Sequence, residues 1–504
     1  MAELTARIVL LLLAAMPLWL AAAGVRLIHT SDLHACFTAA DQDGCGSPLL
    51  RIGAAIAEQR RQFGAENCLY IDTGDTMQGT PAGAITHGQA PLRALLAMGC
   101  DAWIPGNHDF DFGKAAFQDG AARLASIIIC GNLFPAGCPA SWPGWKLFER
   151  GGLRIAVIGS TASYLPHWFL PELAAAFRVT TTVSQLERQL PEILAAKPDV
   201  IILAVHQGWA LNDRRGVNEV AAIAGRFPEI DLILGGHTHR AFPGRRIGVR
   251  TWYVQPPPHG QAVGLIDITA VPGERATRNV VISSHLHYPD SNAPESAQLR
   301  LALQADFEAA RQYEESIVAP APGSTVTAGG RPGENNAMSE LFCAAIQHST
   351  GAQVVLHGVL SRAELHGGTP VTGRMLFAAV PYDNTVVTAH VTAAQLEDII
   401  TEQWEQRKVY TYCGLFGATA RIDGSGHAHL MSIAGNPPSA ARRYLVALNS
   451  FTAAGGGRYP VLGKILADPE CETRNTGLLT RAAVQKYLVD HPGLTVTPQQ
   501  FLFH

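Results

Sequence analysis

The 504-residue chain reads as two successive α/β units, and three observations predict that class. From Val25 to about Ala270, short apolar runs alternate with longer stretches of helical spacing. Several of the runs are continuously apolar, as strands covered on both faces must be. The Pro/Gly-rich tract VAPAPGSTVTAGGRPGE then separates this region from a second one of similar texture. Hydrophobic residues make up 47% of the chain and charged ones 16%, which at this length allows two or three domains with ample cores.

The elements follow in order. Arg7 precedes the apolar Ile8–Leu20 and then Ala21-Ala22-Ala23, the layout of a secretory signal peptide cleaved after Ala23. Ile8 to Ala23 is 16 residues long and contains Pro17, so it falls short of the roughly 20 residues of a membrane span. No other stretch reads as transmembrane, and the expected location is periplasmic or extracellular. Export makes disulfides plausible among the nine cysteines, with Cys36 near Cys45 and Cys130 near Cys138 in the chain. The odd count leaves at least one thiol without a partner in the chain.

Strands are expected at residues 25–30, 68–73, 126–131, 153–159, 200–206 and 231–237, with helical spacing in LLRIGAAIAEQRRQF. The expected domains are residues 1–23 (signal), 24–292, a linker helix at 293–319, and 320–504, the last beginning with a helix near Asn336–Ser349. Net charge is −4 and no Lys/Arg-dense run occurs, which argues against capture of a nucleic-acid polymer. A small anion needs only a local positive site.

The chemistry gathers where the apolar runs stop. HTSDLHAC places Asp32 and His34 after the first strand, and DTGDTMQGTP places Asp75 after the second. PGNHDF supplies Asn107, His108 and Asp109; LAVHQG supplies His206; LGGHTHR supplies His237 and His239. In open α/β sheets the ligand crevice lies at the carboxyl ends of strands. Singly, each fragment is an ordinary cap, turn or core histidine. Together, two carboxylates, four imidazoles and an amide suffice for two metal ions bridged by Asp75. Mixed imidazole and carboxylate ligands suit Zn, Mn, Fe or Co better than Ca or Mg. Ions roughly 3.5–4 Å apart can hold a bridging hydroxide at neutral pH.

This ordered set resembles the calcineurin-like metallophosphoesterases, and GDTMQGTP with MGCDAWIPGNHDFDFG resembles more narrowly the secreted 5′-nucleotidases, which include bacterial UDP-sugar hydrolases. The resemblance implies a four-layer αββα sandwich followed by a smaller α/β substrate-binding domain. It implies one divalent ion on Asp32, His34, Asp75 and His239, and a second on Asp75, Asn107, His206 and His237. His108 would face the phosphate, with Asp109 orienting its imidazole.

The second unit resembles the family's substrate domain more loosely. By motif position Arg331 and Arg362 fall where the family carries arginines, and Tyr412 and Phe451 where it carries stacking rings. The chain departs from the family at three points. Ala35-Cys36 stands where Gly follows Asp-x-His, His357 stands where Asn is usual, and GGGRY replaces GGDGY, so that Gly457 and Arg458 alter the expected ribose contact. The implied activity is release of phosphate from 5′-nucleotides, with UDP-sugars as further substrates. The alternatives are another anion (a cyclic nucleotide, a sugar phosphate or a thiosulfate-type ester) and a non-catalytic nucleotide-binding protein.

Overall fold

The computed structural model describes residues 23–37, 47–137, 142–169, 171–210, 217–270, 280–329, 335–407 and 414–503. Its first unit is built on two sheets. One has five strands, with Gly24–Thr30 central between the antiparallel Val263–Ala270 and the parallel Cys68–Asp72. Ala102–Trp103 and Val280–His287 close its two edges. The other has six strands and a parallel centre of Leu153–Ser160, Val200–Val205 and Leu232–Leu234. Leu27, Leu69 and Ile71 of the first sheet pack against Val157, Val200 and Ile202 of the second in one dry layer.

Helices cover both outer faces. Pro48–Phe63 and Gln89–Ala97 lie on the first sheet, and Thr182–Ala195 with Val220–Arg226 on the second, so the order is αββα. The helix at Pro48 starts where sequence logic places it: proline at its first position and Ser47 Oγ accepting from Leu50 N at 3.3 Å. Residues 126–131, expected as a strand, make only a bridge between Ile128 and Trp103. The segment is apolar because it is buried, and burial alone does not distinguish a strand from irregular chain.

The linking helical segment is in two pieces, Ala297–Ala302 and Gln304–Glu315, broken at Leu303. It is fastened on both sides, by Arg93 to Asp306 from the first unit and by Arg374 to Glu314 (2.7 Å) from the second. The second unit has a five-stranded mixed sheet centred on Arg443–Asn449, a three-stranded sheet, and the helix Ala337–Thr350, which Asn336 and Ser339 start with a capping box. Cys36 and Cys130 are buried thiols; Cys45 and Cys138 lie outside the described residues.

His357 belongs to this interior and not to a binding surface. It closes the buried strand Val354–His357, its ring lies edge-on to Phe342, and its Nδ1 donates to the Gly358 carbonyl at 2.7 Å. Its Nε2 has no hydrogen-bond partner, and burial lowers its pKa to about 4. The folded state therefore resists protonation that the unfolded chain accepts near 6.5. The sign is that stability is complete above pH 6.5 and falls as the pH drops towards 4, by roughly 3 kcal/mol for this group. Urea unfolding of wild type and His357→Leu across that range should differ by this slope, the variant being flatter. Parallel profiles would refute the assignment.

Candidate metal centre

The carboxyl ends of both sheets converge on one edge, and the residues singled out by sequence meet there. Asp32, His34, Asp75 and His239 each offer a ligand atom within 4.8 Å of the others, and Asp75, His206 and His237 do the same. Asp75 is common to both groups. Asn107 reaches the second group, with its Oδ1 2.9 Å from His237 Nδ1.

Local backbone explains how short loops aim so many donors inward. Asp32, His34, Asp75, His237 and His239 all adopt left-handed dihedrals, with φ of 52°, 48°, 54°, 69° and 55°. Such values are uncommon outside glycine and cluster where a site is over-determined. Gly106 provides the clearance: a Cβ there would lie 2.3 Å from Asp75 Oδ1 and 2.7 Å from His206 Cε1.

The rings are held from behind. His206 Nδ1 lies 2.6 Å from the Thr73 carbonyl and His34 Nδ1 3.0 Å from the Gln78 carbonyl, so both Nδ1 atoms carry the proton and the Nε2 atoms face inward. His206 Nε2 is buried with no hydrogen-bond partner of its own, 3.1 Å from Asp75 Oδ2. His34 Nε2 and His239 Nε2 approach to 3.1 Å. Facing nitrogen donors with a carboxylate between them are what a shared cation would satisfy.

Charge follows the same logic. Burial lowers the pKa of His34 to about 3 and of His237 to about 4, keeping both neutral. Burial also disfavours charge on Asp32 and Asp75, but neighbouring histidines outweigh it and hold Asp32 at about 2 and Asp75 well below the usual carboxylate range. Neutral imidazoles and ionised carboxylates are the ligating forms. At His206 the Asp75 carboxylate overcomes burial and raises the pKa to about 9, so an ion taking Nε2 displaces a proton.

The structure corrects the expected partner of His108. Asp109 does not touch that ring. It is buried and gathers four backbone N–H groups: its Oδ1 accepts from Thr76 and Met77 (both 2.8 Å), and its Oδ2 from Asp75 (3.0 Å) and Gly106 (2.7 Å). It ties together the two loops that present Asp75 and His108. Asp111 instead meets His108, with Oδ2 2.8 Å from Nδ1. The reason is the 3-10 turn His108–Phe110, on which residues three apart share a face and adjacent residues diverge. The sequence HDFD carried that signal. Burial opposes the charge on His108, but Asp111 and Asp75 prevail and raise its pKa to about 10.

Three more residues escaped sequence reasoning. His259 lies 5.1 Å from the His34 ring, Trp168 5.1 Å from the His237 ring, and Tyr382 stacks on His108 at 5.9 Å. Tyr382 comes from the second unit, a contact that no local motif encodes.

From Asn107 and His108 a cleft of about 600 Å³ runs between the two units. Trp168 and Phe169 line it on one side, and Asp383, Ser450, Phe451 and Arg481 on the other. Of the substrate residues expected from sequence, Phe451 is in this lining. Arg362 and Arg458 are exposed and His357 is interior, and none of the three lines the cleft. Arg458 follows a glycine tract in a left-handed conformation (φ 76°) on the surface. Arg331 and Tyr412 lie outside the described residues.

Residues 25–241 match the family model for calcineurin-like phosphoesterases, and residues 317–464 match that for the 5′-nucleotidase C-terminal domain. Fold and site thus define a hydrolase of the calcineurin-like phosphoesterase class. Protein UshA of Yersinia enterocolitica is 24% identical over 94% of this chain and 92% of its own length, and Protein UshA of Escherichia coli has the same values. Among solved structures, a putative 5′-nucleotidase from Staphylococcus aureus superimposes with a TM-score of 0.81 at 21% identity, covering 95% of this chain and 99% of the other. With both models matched in tandem, the chain carries a calcineurin-like phosphoesterase domain followed by a 5′-nucleotidase C-terminal domain, and UshA is a homologue over nearly its whole length.

Proposed function

We propose that this chain is an exported phosphohydrolase that releases phosphate from 5′-nucleotides, using two divalent ions held by Asp32, His34, Asp75 and His239 and by Asp75, Asn107, His206 and His237. The observation that carries this reading is the position of Asp75: it is the one carboxylate shared by two ligand groups, and its Oδ1 accepts from the backbone N–H of His108 at 2.7 Å. When bound, such an ion pair supplies a water of lowered pKa and polarises a phosphoryl oxygen.

The chain's own groups do the rest. His108, kept cationic by Asp111, donates to the phosphate as charge develops on its oxygens. Asp109 fixes the loop that sets this distance. Phe451, across the cleft and 38% exposed, offers a face on which a base can stack. Export rests on the leader-like Arg7–Ala23, and among the described residues no helix is long and apolar enough to cross a membrane.

The test is phosphate release from AMP, UDP-glucose, a cyclic nucleotide and an aryl phosphate by protein stripped of metal and reloaded with Mn or Zn. Metal-dependent release from AMP is expected. Stacking is worth about 1–3 kcal/mol per base, so Phe451→Ala should raise KM for AMP about tenfold and leave the aryl phosphate unaffected. Release confined to the aryl phosphate would refute the nucleotide assignment while keeping the metal centre.

A further inference from the structure

A second group of ligand-bearing side chains lies far from Asp75 in the chain and outside the cleft lining. Glu397, His427 and His429 each offer a ligand atom within 4.8 Å of the others. His427 and His429 are two residues apart at the start of the strand Ala428–Ile433, so their side chains leave the same face. Ala428 and Leu430 alternate with them and face the core. Glu397 comes from the helix Ala393–Glu405, which runs beside this strand.

The strand is at the edge of its sheet, and the helix covers the free side. Ala428 N–H donates to Thr401 Oγ1 at 2.9 Å and Leu430 N–H to Glu397 Oε1 at 2.8 Å, two acceptors one helical turn apart. The same bonds orient the ligands. Thr401 Oγ1 gives its proton to the Glu397 carbonyl (2.8 Å), so towards His427 Nδ1 (3.3 Å) it accepts, which leaves His427 Nε2 as a lone pair. Asp423 Oδ2, 2.8 Å from His429 Nε2, accepts the proton there and leaves Nδ1 as the lone pair. Asp423 is itself fixed, because its Oδ1 accepts from Ser425 Oγ (2.6 Å), Ser425 N (2.8 Å) and His427 N (3.1 Å). Leu430 takes one oxygen of Glu397 and leaves the other. Each candidate ligand thus has its own orienting partner, the arrangement that distinguishes a built metal site from a chance gathering of polar groups.

We propose that Glu397, His427 and His429 form a separate mononuclear zinc site, with Asp423 orienting His429 from behind. Two imidazoles and one carboxylate are a ligand set that zinc favours, and partial exposure leaves a position for water. The ion pins the helix to the edge strand, so its effect falls on the stability of the second unit.

The experiment uses the full chain, stripped with chelator, equilibrated with zinc buffered at micromolar free concentration and counted by mass spectrometry. Wild type should hold one zinc more than His427→Ala/His429→Ala, and its melting temperature should rise more on adding zinc. Asp423→Asn keeps all three ligands and should weaken that site by about 10–100-fold. It also serves if the double variant does not fold. Equal zinc counts in wild type and the double variant, or an affinity unmoved in Asp423→Asn, would overturn the proposal. Because the readout is a difference in zinc count, loss of the Asp75 centre does not mimic either result.

Discussion

Replacing Asp75 with Asn lowers turnover by at least about a thousandfold, equivalent to about 4 kcal/mol of lost transition-state stabilisation, and takes the metal held at that centre from two equivalents to one or none. The expectation follows from position. Asp75 is buried, its Oδ2 lies 3.1 Å from His206 Nε2 and 3.9 Å from His34 Nε2, and its Oδ1 binds the backbone of His108. An amide preserves the shape but removes the negative charge that lets two dications occupy neighbouring sites. Metal analysis beside steady-state kinetics on AMP and an aryl phosphate checks both halves. Turnover within tenfold of wild type at full occupancy would show that the two groups act independently.

Exchanging the two aspartates around His108 separates chemistry from architecture. In Asp109→Asn a single carbonyl oxygen faces four backbone N–H groups, two of which meet an amide nitrogen instead. Hydrogen bonds to charged groups are worth about 1.5–3 kcal/mol each, so a loss of about 3–5 kcal/mol of stability is expected, with activity falling alongside. Asp111→Asn should leave denaturant unfolding within about 1 kcal/mol of wild type. Its kcat should fall about a hundredfold, because the amide no longer holds His108 in its cationic form. The kcat of Asp111→Asn should also decline at lower pH than that of wild type, because the Asp111 carboxylate beside the ring raises the His108 pKa. If Asp109→Asn kept its stability and lost only kcat, the pairing of Asp109 with His108 that the resemblance implies would be restored.

The sandwich and its metal edge were legible because both rest on local rules. Strands such as VIILAV are buried on both faces and announce themselves as unbroken apolar runs, and the ligands sit where those runs end. The run SIIIC misled because an irregular buried segment looks the same in one dimension. The resemblance pairs Asp109 with His108, whereas the tight helical turn His108–Phe110 sends adjacent side chains apart. The cleft was hardest to read. Its far wall combines Asp383, Ser450, Phe451 and Arg481 from separate loops, and Tyr382 reaches His108 only through the packing of one unit on the other. Arg362 is the arginine expected by motif position and Arg458 the added cation, and the structure leaves both at the surface.

The left-handed backbone at five candidate ligands bears on how this site can drift over generations. Asparagine, aspartate and histidine are the non-glycine residues most enriched in that conformation, while branched aliphatics are strongly disfavoured. A codon change from one of these ligands to valine or isoleucine would therefore lose a donor and strain the loop at once. A change among Asp, Asn and His keeps the loop and alters only the donor. A change of metal preference therefore has a foldable route through such exchanges, whereas loss of a donor without strain runs through glycine, which alone is indifferent to that backbone.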